Sequence, residues 1–515
     1  MELQKITIKE YLKRHKISFQ FSGNELVIWC PFCKRIDVNN NRLLTFHINP
    51  ETGKGQCQMC LTKCDFEELT EKLGIKLMKR HLNTEEYEEP QTKQEPIPID
   101  TSQFKPLSTQ ELIEILGLTI KKDEENKLIT FLCQLSAYTE DSQFNISFNA
   151  PSSTGKSYIP TEIAQLFPKE DVIEISYCSP TAFFHEVGEW DKERKRYLLD
   201  LSRKILIFLD QPHIQLLERL RSLLSHDKKE IQSKITDKTQ KFGLRTKSIF
   251  LKGFPAVIFC TAGLKIDEQE ATRFLLLSPE TNQEKIREAI YEKIKKETDI
   301  ESYKTWLEEN PKRKLLKERI MAIKQVDVKE IKISSPELIK QMFFERNKML
   351  KPRHQRDIAR IISLVKSLAL LNLWFREKDG EAIIAKEDDI KEAFKIWDGI
   401  SESQELNLPP YIYNLYKEVV LPAWEEKNSE LEDMVKEFGL TRQDILQKHF
   451  QVYGRHLPDW QLRQQIIPMW ETAGLIIQEP DPNDKRKILI YPTTPLTISE
   501  GQNNSELEGG VNNKI

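Results

Sequence analysis

The chain of 515 residues lacks several features that would narrow its class at once. No apolar run approaches the ~20 residues that cross a bilayer, and the first residues carry no basic-then-apolar leader. A soluble, cytoplasmic protein with no membrane partner is therefore expected. An excess of one charge is missing too: 77 Lys+Arg stand against 80 Asp+Glu, a net −3. Any surface for a polyanion has to be local. No internal repeat is visible. Cysteine is scarce, with eight residues in all, too few to staple a chain this long. Five of them nevertheless fall between residues 30 and 64, and clustered cysteines without a disulfide framework point to a metal.

The length predicts about three or four domains, and composition divides the chain accordingly. Residues 1–78 read as a small compact unit. Residues 79–106, with Glu85-Glu-Tyr-Glu-Glu-Pro90, read as a polar linker. A helical lead-in with Leu112, Ile113, Ile115 and Leu116 at helical spacing begins the next unit. From Phe144 to about 330, apolar runs such as Lys204-Ile-Leu-Ile-Phe-Leu-Asp210 and Ala256-Val-Ile-Phe-Cys-Thr261 alternate with helical stretches. That pattern predicts a parallel sheet covered on both faces. Residues 331–402 read as amphipathic and helical, and 403–495 as a last unit. The Asn/Gly/Glu-rich tail, 496–515, reads as disordered.

Cys30-Pro-Phe-Cys33 and Cys57-Gln-Met-Cys60 are two Cys-x-x-Cys knuckles. Each turns the chain so that two thiolates face one point, and the pair supplies the tetrahedral sulfur set that Zn²⁺ prefers. Four sulfurs leave no open position, so the metal is read as structural. Cys64 and His47 are spare candidates, with His47 read as packed in a strand. The knuckles, the strand Leu44-Thr-Phe-His-Ile-Asn-Pro50 and the helix Asp65-Phe-Glu-Glu-Leu-Thr70 together resemble the zinc ribbon of bacterial and phage DNA primases. The resemblance implies contact with DNA. No TOPRIM-like polymerase domain follows, so primer synthesis is not expected. Residues 1–80 hold 14 Lys+Arg against 9 Asp+Glu, which suits a nucleic-acid surface and equally a solvated basic face.

In the central unit, Phe144-Asn-Ile-Ser-Phe-Asn149 ends in the loop Ala150, Pro151, Ser152, Ser153, Thr154, Gly155, Lys156 and Ser157, which opens a helix. Strand, small-residue loop and Gly-Lys-Ser form a P-loop. Its N–H groups and helix N-terminus surround phosphates, Lys156 reaches the β- and γ-phosphates, and Ser157 ligates Mg²⁺. The first glycine of the usual pattern is replaced by Ala150. About 50 residues later, Asp210 ends an apolar run where a Mg²⁺-holding aspartate belongs. The next residue is Gln211, not the glutamate common there, and an amide orients water without taking its proton. Slow hydrolysis, a carboxylate from 186–189, and positioning alone all remain open. Thr261 ends its strand as a candidate γ-phosphate sensor. Arg273, before the next strand, is a candidate arginine finger for a neighbouring subunit.

Between Asp210 and Thr261, residues 228–252 carry eight Lys+Arg against two acids. Alternation predicts strands over about 230–237 and 244–251, with Lys238, Lys241 and Phe242 at the tip and Arg245 and Lys247 on the return. Cations for phosphates and an aromatic for stacking suit a strand-tracking loop.

This order of motifs, over about 108–400, resembles the AAA+ family and within it the MCM-like and mobile-element replication ATPases. The resemblance implies a multidomain α/β chain: zinc ribbon (1–78), linker (79–106), P-loop core (107–330) and helical lid (331–402), where Arg353, or second Arg356, senses nucleotide. Helix, helix, strand, charged turn and strand over 403–495 resemble a winged helix. The implied function is an ATP-driven motor on single-stranded or forked DNA, with ATP, Mg²⁺ and Zn²⁺ as cofactors. A homo-oligomeric ring, six copies as the model number, and a primase among the partners are also implied. An ATP-gated DNA-binding switch and a signalling or chaperone-like ATPase are the alternatives.

Overall fold

The computed structural model describes residues 12, 17, 19–22, 25–33, 44–49, 54–64, 68–69, 72, 99–176, 189–191, 196–237, 245–262, 273–429, 438–482 and 484–493. Two compact units result, Met1–Glu95 and Pro96–Ile515.

In the first unit β1 (Phe19–Ser22), β2 (Glu25–Trp29), β3 (Leu44–Ile48), β4 (Gly55–Cys57) and β5 (Lys63–Cys64) form one antiparallel sheet in chain order. Alternation puts Leu26, Ile28, Phe46 and Ile48 on one buried face with Cys30 and Cys57. Among the described residues that core is small, and a small core rarely holds a fold without a staple. Gly55 lies opposite Ile48, where a Cβ would run into the Phe46 ring edge and come within 2.8 Å of the His47 carbonyl oxygen. Gly55→Ala is therefore expected to cost about 1–3 kcal/mol by overpacking, read as a lower first unfolding transition at fixed zinc.

The second unit opens with α1 (Thr109–Leu116), closed by a Ser108–Glu111 capping box, and α2 (Glu124–Ser136). Within the stretch read as the end of a linker, Phe104 is buried, 4.6 Å from the Trp374 ring and beneath the Arg319 guanidinium. The central sheet is built from β6 (Ile146–Asn149), β7 (Val172–Ile175), β10 (Ile205–Phe208), β13 (Ala256–Thr261) and β14 (Leu275–Leu277), in the order β14-β6-β13-β10-β7. All neighbours run parallel. Ile146, Phe148, Ile205, Ile207, Ile258 and Cys260 face one core. Leu206, Phe208, Val257 and Phe259 face another. Burial on both faces explains the unbroken apolar runs. The helix α3 (Tyr158–Ala164) leaves the loop after β6, and α4 (Ile214–Leu224) follows β10.

The basic segment forms the expected hairpin, β11 (Glu230–Asp237) against β12 (Arg245–Lys252). A second hairpin, β8 (Glu189–Asp191) and β9 (Arg196–Asp200), joins it through parallel pairing of β9 with β12. Arg196 ties the two together, its Nη1 2.5 Å and Nη2 2.7 Å from the Glu230 carboxylate and its guanidinium over Phe250.

Three helices follow, α5 (Gln283–Thr298), α6 (Ile300–Glu309) and α7 (Pro311–Val326). The stretch expected to be helical, 331–402, does hold α8 (Pro336–Arg346), α9 (His354–Leu371) and α10 (Glu387–Asp398). It also carries β16 (Glu377–Asp379) and β17 (Ala382–Ala385), which join β15 (Glu330–Ile333) in a three-stranded sheet. Gly380, at φ +63, makes the tight turn between β16 and β17.

The C-terminal part has its own core around Trp470, Ile412, Leu440 and Ile490. A helical stretch from Pro410 to Asn428 passes through a π-turn ahead of Pro422. The helix α11 (Arg442–Tyr453) starts on a Thr441–Asp444 capping box, and a second helical stretch spans 459–472. The strands β18 (Ile476–Pro480) and β19 (Ile488–Pro492) pair antiparallel. Helix, helix, strand, turn and strand thus occur in the expected order. No helix among the described residues is long and apolar enough to cross a membrane.

Candidate functional site

In the first unit the two knuckles fold onto one point. The Cys30 and Cys60 sulfurs are 3.8 Å apart and those of Cys33 and Cys57 3.9 Å. All four lie within 4.8 Å of one another. A tetrahedron of sulfurs at ~2.3 Å from Zn²⁺ has edges of about 3.8 Å, so the set fits zinc. Cys64 is buried in the core outside the cluster. His47 also stands apart, with its Nδ1 2.9 Å from Glu25 Oε2. Burial is the main cause that pushes the Cys30 thiol up to about 12. Burial also acts upward on Cys57, but the Thr45 hydroxyl and the N–H groups of Cys60 and Met59 outweigh it and bring it down to about 6. These N–H···S contacts come from the knuckle's own turn, which holds the sulfur as a metal ligand needs.

In the second unit three strand ends converge. β6 stops at Asn149, and Ala150 to Ser157 lead into α3. Ser153, at φ +68, and Gly155, at φ +91, curl the loop. A Cβ at Gly155 would meet nothing within 4 Å, so backbone conformation, not crowding, selects glycine there. Ala150 is wholly buried and its N–H reaches the Thr261 carbonyl at 3.3 Å. The missing first glycine is thereby accommodated. Thr154 Oγ1 donates to the Pro151 carbonyl at 3.0 Å, and the Cys260 thiol to the Lys156 carbonyl at 3.4 Å. The loop is thus pinned to β13.

Phe208 of β10 pairs with Phe259 of β13, so Asp210 and Thr261, each two residues on, stand level. Thr261 in turn faces Asn149. The Gln211 N–H donates to Asp210 Oδ1 at 2.8 Å, and the buried Thr261 hydroxyl donates to Gln211 Oε1 at 3.1 Å. The side chain after Asp210 is therefore held in one orientation beside the start of the P-loop. Ligands of open parallel sheets bind outside these carboxyl ends.

Arg273 precedes β14, its Nε donating to Ser225 Oγ at the end of α4 at 2.8 Å. Arg353 is engaged on its own helix, Nε 2.9 Å and Nη2 3.3 Å from the Asp357 carboxylate, which also accepts from Arg360 at 3.0 Å. This Arg–Asp–Arg set, with Asp357 and Arg360 buried, was not read from sequence. Its signal was an acid four residues after one arginine and three before another. Arg356 is exposed. Lys238, Lys241 and Phe242 lie outside the described residues. Arg245 and Lys247 belong to β12, with side chains outside the described set.

A cleft of about 590 Å³ opens beside the P-loop, with Ser152–Gly155 at one end. Its wall includes Ile120, Tyr158, Ile286 and Ile290. Lys122 and Asp123 both adopt φ near +55 at its edge, a strained pair fixed by reciprocal bonds. The Glu280 N–H donates to Asp123 Oδ1 at 2.7 Å, the Asp123 N–H to Glu280 Oε1 at 3.1 Å, and Lys285 pairs with Asp123. Burial first, and the neighbouring Asp123 charge second, push the Glu280 carboxyl up.

No family model matches the chain. No curated protein matches it either. Among solved structures it is similar to a full-length MCM homolog from Methanopyrus kandleri, at 13% identity and a TM-score of 0.37. The match covers 60% of this chain and 64% of that one, so the chain spans less than two-thirds of that protein's length.

Proposed function

We propose that the chain is an ATP-dependent DNA motor, a helicase or translocase serving replication of a mobile genetic element. Identical subunits, six as the working number, form a ring and hydrolyse ATP at their shared faces. One observation carries the reading: Thr261 holds Gln211 beside Asp210, at the strand ends where the P-loop begins. In this reading Lys156 and the loop N–H groups grip the phosphates, and Ser157 and Asp210 hold Mg²⁺. Held there, the metal would supply positive charge against the negative charge on the phosphoryl oxygens. Gln211 positions a water and Arg273 reaches the nucleotide of the neighbouring copy. Arg353 exchanges Asp357 for a phosphate, one anion for another. The lid (331–402) transmits that exchange. The hairpin with Lys238, Lys241, Phe242, Arg245 and Lys247 tracks single-stranded or forked DNA, while the ribbon (1–78) and a winged helix (403–495) load it or dock a primase.

The test is ATP turnover with and without single-stranded DNA, together with particle size in ATP. DNA is expected to raise turnover, and Lys241→Ala to bring the ratio of stimulated to unstimulated rate toward one. A wild-type rate indifferent to DNA would refute the motor. Gln211, an amide where a proton acceptor is usual, favours a second reading: an ATP-gated switch that assembles on DNA and recruits a primase, nuclease or transposase. Assembly on forked DNA without strand separation would decide for the switch.

A further inference from the structure

The cleft beside the P-loop is not lined by the central unit alone: Tyr453 and Arg455, from the end of α11 in the C-terminal part, form its rim. We propose that the C-terminal part closes the nucleotide pocket within the same chain, with Tyr453 and Arg455 against the purine base of the nucleotide whose phosphates the P-loop holds. The inference rests on the nucleotide reading above and adds which residues meet the base.

The chemistry of the cleft suits a base. Ile120, Ile286 and Ile290 give it apolar walls, and ligand sites combine such walls with a few placed polar groups. Arg455 is one such group. Its Nη2 donates to the Tyr411 hydroxyl at 3.3 Å, and its guanidinium lies 5.9 Å from the Tyr411 ring and 6.0 Å from the Tyr453 ring. Among the described residues no carboxylate pairs with it. A guanidinium carries five N–H donors, so donors remain for the ring nitrogens of a purine, and its flat face can stack on one.

The rim is held firmly in place. Gly454, at φ +65, ends α11 and turns Arg455 back. The Arg455 carbonyl lies 3.0 Å from Nδ1 of the buried His449, and the Tyr453 hydroxyl donates to Glu418 at 2.6 Å. Gln283, at the start of α5, donates to the Tyr453 carbonyl at 3.5 Å, and α5 also carries Ile286 and Ile290. The C-terminal part and one wall of the cleft are therefore joined, and a bound base would connect both to the P-loop.

Equilibrium binding of ATP and of inorganic tripolyphosphate to the full chain tests this. Arg455→Ala is expected to weaken ATP binding about tenfold, the loss of one hydrogen bond from a charged group, and to leave tripolyphosphate binding unchanged. Backbone hydrogen exchange of the wild-type chain is the second measurement, with no variant involved. ATP is expected to slow exchange over residues 442–455, and tripolyphosphate to leave it alone. Wild-type protein that binds neither compound would sink the nucleotide reading itself. ATP binding with equal affinity in both proteins, or exchange over 442–455 that ATP does not alter, would overturn this inference while leaving that reading intact.

Discussion

Lys156→Ala is expected to lower ATP turnover by at least about 10²-fold, the scale on which a single charged or donor group aimed at a transition state acts. The loop around it is set by its own backbone, through the curl at Ser153 and Gly155 and the bonds to β13. Truncating the side chain leaves those contacts in place, because Cys260 donates to the Lys156 carbonyl and not to its amine. The variant should therefore melt where the wild type does and keep its zinc. On the proposed reading, what it loses is the cation that would neutralise the phosphoryl group in flight. Phosphate release measured at saturating ATP checks this. An active Lys156→Ala protein would remove the P-loop from the chemistry altogether.

Stripping zinc is expected to unfold the first unit as a whole. Among the described residues its core amounts to a few side chains around Phe46 and Ile28, two of them Cys30 and Cys57 of the cluster that fits zinc. Structural zinc contributes roughly 10–16 kcal/mol to folding in small domains, more than such a core supplies. One zinc per chain is expected by elemental analysis, and a strong chelator should abolish the low-temperature melting transition. Cys33→Ser should do the same without chelator, since a serine oxygen replaces one of four thiolates. The second unit has separate cores, so its transition should stay. Survival of the strand signal after complete zinc removal would show that the four sulfurs are not a staple.

Much of this was legible in the residues, for physical reasons. β10 and β13 are buried on both faces, and so betray themselves as apolar runs. A P-loop needs Gly155 where φ is positive, so its signature sits in the local sequence. The ribbon's knuckles have fixed spacing because each is one turn. Other parts were not legible. β8 and β9 are short and bounded by charged residues such as Asp191, Arg196 and Asp200, and Arg196 finds its partner Glu230 34 residues away. The β16–β17 hairpin left one trace, the Asp379-Gly380 pair, within a helix-rich stretch. Arg353 reads as a nucleotide sensor, and its pairing with Asp357 shows only once both side chains are placed. Asp123 and Glu280 are 157 residues apart in the chain, and no local pattern announces their exchange of bonds.

The two hairpins share one sheet, and one of its links to the central sheet is stiff. β12 ends at Lys252, and the chain turns through Gly253, at φ +93, before entering β13, which ends at Thr261. A Cβ at Gly253 would strike the Ser202 backbone, and its N–H is held by the Lys229 carbonyl at 2.8 Å. The pivot is thus clamped from both neighbours. In the proposed motor, a pull transmitted along β12 would have little slack to take up at Gly253 before it reached Thr261.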